Sequence, residues 1–253
     1  WILIGAWGWD QLLLSAVSIL TGSIVLGTVG FGMGLTAAPI MLTRIDPITV
    51  VVSLNTIGLM MYSLSLYQSR TYLEIRSTTP IAFAGILAVP VGVFLLTILN
   101  IGLLRLSISF GIMVFAIGFI LNLNYTFPKF KGMPVMIGFV VGFMLVTLGI
   151  GGPILVIFLL SSKTTKETYR ANLAYFMMIV ELGCIVGYIL GGLFSVDIFI
   201  LIGIMMVPVL IGYGIARSIV NRLNETAFRH TVTAVIIAGS LVVIAKEVFS
   251  YIG

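Results

Sequence analysis

The residues best placed to do chemistry are two glycine-rich stretches and a few polar side chains embedded in apolar segments. Gly30-Phe31-Gly32-Met33-Gly34 runs on to Pro39, and Gly149-Ile150-Gly151-Gly152-Pro153 follows 119 positions later, pairing Gly30 with Gly149 and Gly32 with Gly151. Glycine costs roughly 1 kcal/mol relative to alanine inside a helix, so three in five residues predict a break. Opened backbone at membrane depth persists only where protein buries it or where it lines a cavity. A helix that restarts after such a break presents unsatisfied N–H groups and about +0.5 charge, an anion-binding end. The expectation is that two such ends meet and bind one small anion, with Gly30, Gly32, Met33, Gly34, Gly149, Gly151, Gly152 and Pro153 around it. The competing reading is that the glycines only let helices pack closely.

Polar side chains follow each motif. The same offset matches Thr49 to Thr168 and Ser53 to Asn172, with Asn55 beside the first pair. Ser53, Asn55 and Asn172 are candidate anion ligands, because hydroxyl and amide groups donate hydrogen bonds without demanding a counter-charge. Interhelical hydrogen bonding is the alternative use for them. Glu181 is the one acidic residue deep in an apolar segment, and an intramembrane ionisable group is a candidate proton relay. Its counterpart by the offset is Tyr62. Cys184 lies one turn from Glu181 and reads mainly as a small apolar residue. Arg44 and Arg170 read as interface anchors flanking the motifs, Arg105 as a snorkelling helix-end residue, and His230 as a loop residue beside Arg229.

These residues exclude several classes. One histidine, one cysteine and one buried carboxylate supply neither an acid/base pair nor a metal cluster, so no enzyme, metal or cofactor is expected. Nothing interleaves basic and aromatic residues in a nucleic-acid-binding pattern, and one cysteine forms no internal disulfide framework. The chain starts at Trp1, from which a missing or processed N-terminus is expected.

The elements that must position these groups are membrane helices. Of 253 residues, 60% are hydrophobic and 8% charged, with mean hydropathy +1.24, against about 25% charged in a soluble domain. Apolar segments fall at 12–28, 34–43, 47–67, 79–99, 102–121, 133–148, 153–160, 168–192, 196–216 and 229–250. A full span needs roughly 20 residues, so 34–43 and 153–160 are too short to cross alone. Reading 12–43 and 133–160 as re-entrant hairpins brings loops 68–79, 122–132, 161–170 and 217–230 to one face. Those loops hold Arg70, Arg76, Lys129, Lys131, Lys163, Lys166, Arg170, Arg217, Arg222 and Arg229, ten of the 13 basic residues. Straight crossings would split these residues evenly between the faces and erase the positive-inside signal. The hairpin reading puts the four basic loops in the cytoplasm and both termini outside.

It follows that the two halves are inverted relative to each other. Residues 1–121 form the first repeat (hairpin 12–43, spans 47–67, 79–99 and 102–121), 122–132 is the linker, and 133–253 forms the second (hairpin 133–160, spans 168–192, 196–216 and 229–250). The expected fold is thus an all-α polytopic membrane protein of two inverted repeats, each a hairpin plus three spans. Paired Gly/Pro interruptions at corresponding places in such halves point to a transporter's binding site. A passive anion channel on the same paired hairpins is the alternative. Oligomeric state and direction of transport stay open.

The glycine pair and its spacing resemble the motifs of the sulfite exporter TauE/SafE family, and the resemblance covers nearly the whole chain. Met33 stands where that family usually has glycine, and Phe158 occupies the position matching Pro39. The resemblance implies a secondary transporter of a small sulfur-containing anion, sulfite or an organosulfonate, across the cytoplasmic membrane.

Overall fold

Helices form because long apolar runs in a membrane must satisfy every backbone group within their own segment. A computed structural model describes residues 7–120, 130–161 and 165–219; the expected span at 229–250, most of the 122–132 linker and His230 lie outside them. Among the described residues there are nine α-helices and no strand. They are α1 (Trp9–Val29), α2 (Met33–Met41), α3 (Pro47–Ser69), α4 (Ile75–Ile98), α5 (Ile101–Ile120), α6 (Met133–Leu148), α7 (Gly152–Ser161), α8 (Lys166–Leu190) and α9 (Val196–Ile219). Within that set α1, α3, α4, α8 and α9 are long and apolar enough to cross a membrane. The protein is a polytopic, all-helical membrane protein.

Local chemistry sets where these helices start and stop. Asp46 caps α3 by accepting the Thr49 N–H at 2.8 Å, with Pro47 supplying a first helical position that needs no donor. Thr165 caps α8 in the same way, accepting the Thr168 N–H at 3.2 Å. At the start of α1 the Gly8 N–H donates to the Gln11 side-chain oxygen at 3.0 Å.

Packing builds a centre from α3 and α8, which lie against each other. α1 packs along α9, and α6 along α4. Both of these contacts are close because glycines line them. A Cβ on Gly212 of α9 would lie 2.7 Å from the Leu20 carbonyl oxygen of α1, and a Cβ on Gly142 of α6 would overlap the backbone of Gly85 in α4. Such small-residue seams are how helices associate without a hydrophobic driving force between them. Phe83, Phe94, Phe110, Phe199 and Leu210 point outward on α4, α5 and α9, a surface suited to lipid tails.

The α1–α2 segment doubles back. Gly22 of α1 faces Met33 and Ala37 of α2, and the Gln11 amide donates to the Arg44 carbonyl at 3.2 Å. The exposed Arg44–Asp10 pair at 3.9 Å lies at the same end. Where α7 begins, Gly151 faces Val141 and Leu145 of α6.

Candidate functional site

The site is built where the two glycine motifs touch. α1 ends at Gly30 and α6 at Gly149, and both glycines take left-handed backbone, with φ of 93° and 68°. Gly32, at the start of α2, has φ of 101°. Side chains rarely adopt this region, so glycine is what allows each chain to turn within three residues. The motifs then meet face to face. A Cβ on Gly34 would run into the Gly149 carbonyl oxygen, and one on Gly152 would lie 2.8 Å from the Phe31 Cβ.

Between them lies a cavity of about 20 Å³, room for roughly one water molecule. Gly32, Met33, Gly34, Asn55, Gly149, Gly151, Gly152, Pro153 and Glu181 line it, with Leu26, Leu35, Leu54, Gly58, Tyr62, Leu145, Ile150 and Met177 completing the wall. The start of α2 and the start of α7 therefore both open onto one space. The first N–H of α2 to find a helical partner is that of Thr36, bonded to the Gly32 carbonyl at 3.1 Å. The N–H groups of Met33, Gly34 and Leu35 precede it and are left without an intrahelical acceptor. Pro153, at the second position of α7, brings no N–H.

The remaining sequence candidates fall elsewhere. Gly30 does not line the cavity; it caps α1 and faces Leu173, which a Cβ would meet at 3.6 Å. Ser53 is buried outside the cavity, and its hydroxyl oxygen has no hydrogen-bond partner. Asn172 also lies outside it, its side-chain oxygen accepting the Glu74 N–H at 3.0 Å and fixing the α3–α4 connection to α8. Arg170 donates to the Gly27 carbonyl at 3.2 Å, near the negative end of α1, rather than facing the cavity. Arg105 reaches the Ile45 carbonyl at 3.5 Å.

Asn55 does line the cavity, but its amide donors are already engaged. Nδ2 donates to the Leu145 carbonyl at 3.0 Å and to the Tyr188 hydroxyl at 2.6 Å, and Tyr188 donates in turn to the Val146 carbonyl at 2.8 Å. The two acceptor carbonyls belong to the last turn of α6; that of Leu145 also accepts the Gly149 N–H at 3.0 Å, so Asn55 ties the α6 end at its glycine turn to α3. Tyr188 was not among the sequence candidates. The available signal was its spacing on α8, since Glu181, Cys184 and Tyr188 recur at three and four residues and so share one helix face.

Over residues 14–243 the chain matches the sulfite exporter TauE/SafE family. The chain belongs to that family. No curated protein and no solved structure matches it. The family is one of membrane transporters for sulfur anions, and the matched region of this TauE/SafE protein takes in both glycine motifs and every residue of the cavity wall. Among the described residues no Lys, Arg or His lines that wall, and no cluster of metal-ligating side chains exists.

Proposed function

We propose that this TauE/SafE protein is a secondary transporter that carries a small sulfur-containing anion, sulfite or a sulfonate, across the cell membrane by alternating access. The observation that carries the reading is the convergence of two helix starts on one small cavity with no cationic side chain among the described residues that line it. Backbone N–H groups at helix starts suit an oxyanion, and glycines let it approach the main chain closely. In this reading Gly32, Met33, Gly34, Gly149, Gly151, Gly152 and Pro153 surround the anion, while Asn55 shapes the pocket through the α6 end. The cavity is smaller than a sulfonate group, so the tips must part for the anion to enter, as an alternating-access cycle requires.

Inverted repeats are part of the same proposal. The left-handed glycines that end α1 and α6 are 119 residues apart, and so are the caps Asp46 and Thr165. The two packing pairs, α1 on α9 and α6 on α4, exchange when the halves are swapped. Re-entrant hairpins fit the closure of α1–α2 by Gln11 and Arg44. Rocking of one repeat against the other would then expose the tips to each side in turn.

Thermal unfolding of the detergent-purified protein with sulfite, methanesulfonate, thiosulfate, sulfate and acetate tests the site. Saturating stabilisation by a sulfur oxyanion or sulfonate but not by acetate is expected, reaching about 2.7 kcal/mol at 100 times Kd. Gly34→Ala, which forces the tips apart, should abolish the increment. Stabilisation by no member of the panel would remove the anion site. Flux in liposomes that fails to saturate with anion concentration would replace the carrier by a channel.

A further inference from the structure

Glu181 is 3% exposed, lines the cavity, and its Oε2 has no hydrogen-bond partner. It is seated on bare backbone: a Cβ on Gly58 of α3 would lie 2.5 Å from Oε1 and 3.0 Å from Oε2. An acid in this position faces the same small space as the helix starts. An anion and a carboxylate sharing that space would repel each other without an intervening cation, and the described wall supplies none. A carboxylic acid removes the conflict, because its O–H becomes a donor aimed at the anion.

We infer that Glu181 is a specificity-determining residue that binds a proton together with the anion, so that the cavity accepts a singly charged sulfonate or hydrogen-sulfite ion and rejects dianions. The inference rests on the anion site proposed above and deepens it. The balance is simple: one proton joins the Glu181 carboxylate as one monoanion enters, and the proton leaves when the anion does. The loaded site gains no net charge. A dianion taken up with one proton would leave the site one negative charge more than it holds empty, opposed only by backbone dipoles. Carrying the proton, the unpartnered Oε2 is the atom that would donate to the bound monoanion.

The groups that surround Glu181 leave this role to it. Tyr62 faces it from α3, and Cys184 and Tyr188 are its titratable neighbours on α8. The sequences of α2, α6 and α7 contain no titratable side chain. Arg76 of α4 and Arg70 of the turn beside α8 are exposed. Tyr62 is the offset counterpart of Glu181, so the acid and a phenol occupy corresponding places in the two halves and meet in one cavity.

Binding of methanesulfonate, which carries one charge throughout, is measured between about pH 6 and about pH 8.5 in sodium-free buffer, with sulfate as the dianion. Because a proton is taken up with the anion, raising the pH weakens binding to the wild type, by up to roughly tenfold per pH unit. Glu181→Gln, a neutral donor, should bind methanesulfonate with no pH dependence. Sulfate should bind both proteins at least about tenfold more weakly than methanesulfonate. Should the variant not fold, proton uptake by the wild type in weakly buffered solution gives the same answer, with about one proton per bound anion at the alkaline end. Binding that is equally strong at every pH, or that appears only when sodium is added, would overturn the inference while leaving the anion site in place. No binding of either anion to either protein would bring down the site and the inference with it.

Discussion

At the scale of single residues, Asn55 shows how a cavity-lining amide serves the protein rather than the ligand. Its Nδ2 and the Tyr188 hydroxyl together occupy the Leu145 and Val146 carbonyls, the end of α6 that leads into the Gly149 turn. Interhelical hydrogen bonds in membranes contribute about 0.6 kcal/mol each, so Tyr188→Phe should cost roughly twice that, having lost two bonds. Asn55→Ala should cost more, since it also leaves a void in packed surroundings. The double variant should cost less than the two single losses together, because the 2.6 Å bond between them is counted in each. Reversible unfolding of the four proteins in mixed micelles measures this, and strict additivity would show that the pair does not act as one clamp. The sequence offered Asn55 as a ligand because residue type and depth are readable from it. Which acceptor an amide meets depends on α3, α6 and α8 arriving together, and spacing along one helix does not encode that. Asn172 illustrates the same limit, matched by offset to Ser53 yet engaged with the α3–α4 connection.

At the scale of elements, much was legible because glycine, proline and capping residues act locally. The two breaks, the short helices after them and the approximate spans follow from apolar run lengths and from the cost of glycine in helices. The starts of α4 and α1 were harder. The expected 79–99 span begins at Ile75 in the structure, because the polar Arg76-Ser77-Thr78-Thr79 stretch reads as loop by hydropathy yet is helical, with Pro80 an interior proline that has no N–H to give the helix. The expected 12–28 segment begins at Trp9, where Gln11 reaches back to the Gly8 N–H. The caps of α3 and α8 are hard to read for a related reason: the offset matches Thr49 and Thr168 as side chains, whereas their backbone N–H groups carry the match, bonded to Asp46 and Thr165. Asp46→Ala and Thr165→Ala should each lower stability by about 1 kcal/mol. Their effects should add, since the caps serve different helices and share no partner. Equal, additive losses in thermal unfolding would identify the caps as equivalent parts of two similar halves; a negligible effect at either one would deny that equivalence.

At the scale of the whole molecule, the orientation of the chain turns on whether α6 and α7 together cross the membrane or return. α9 separates Ser195 from Ser218 by 23 residues, about 34 Å of helix at 1.5 Å per residue, enough to place them on opposite faces of a core roughly 30 Å thick. Between Ser77 and Ser218 the chain passes through α4, α5, the α6–α7 segment, α8 and α9. If α6–α7 returns to its own side, the crossings between Ser77 and Ser218 are even in number and both serines share a face. If it crosses once, the count is odd and they part. Cys184 is the chain's single cysteine and is buried, so the wild type is a silent background for thiol labelling. Ser77→Cys, Ser195→Cys and Ser218→Cys each place a thiol at an exposed residue near a helix end. With a membrane-impermeant maleimide on intact cells, Ser195→Cys should label, while Ser77→Cys and Ser218→Cys should label only after permeabilisation, as the basic loops beside them predict. Labelling of Ser77→Cys and Ser218→Cys from opposite sides would mean that α6–α7 spans the membrane. The Gly149 turn would then no longer be the tip of a hairpin, and the two helix starts at the cavity would not be related by inversion. Labelling of both from one side leaves the inverted arrangement as the simplest path for the chain, with the cavity approached by one hairpin from each face.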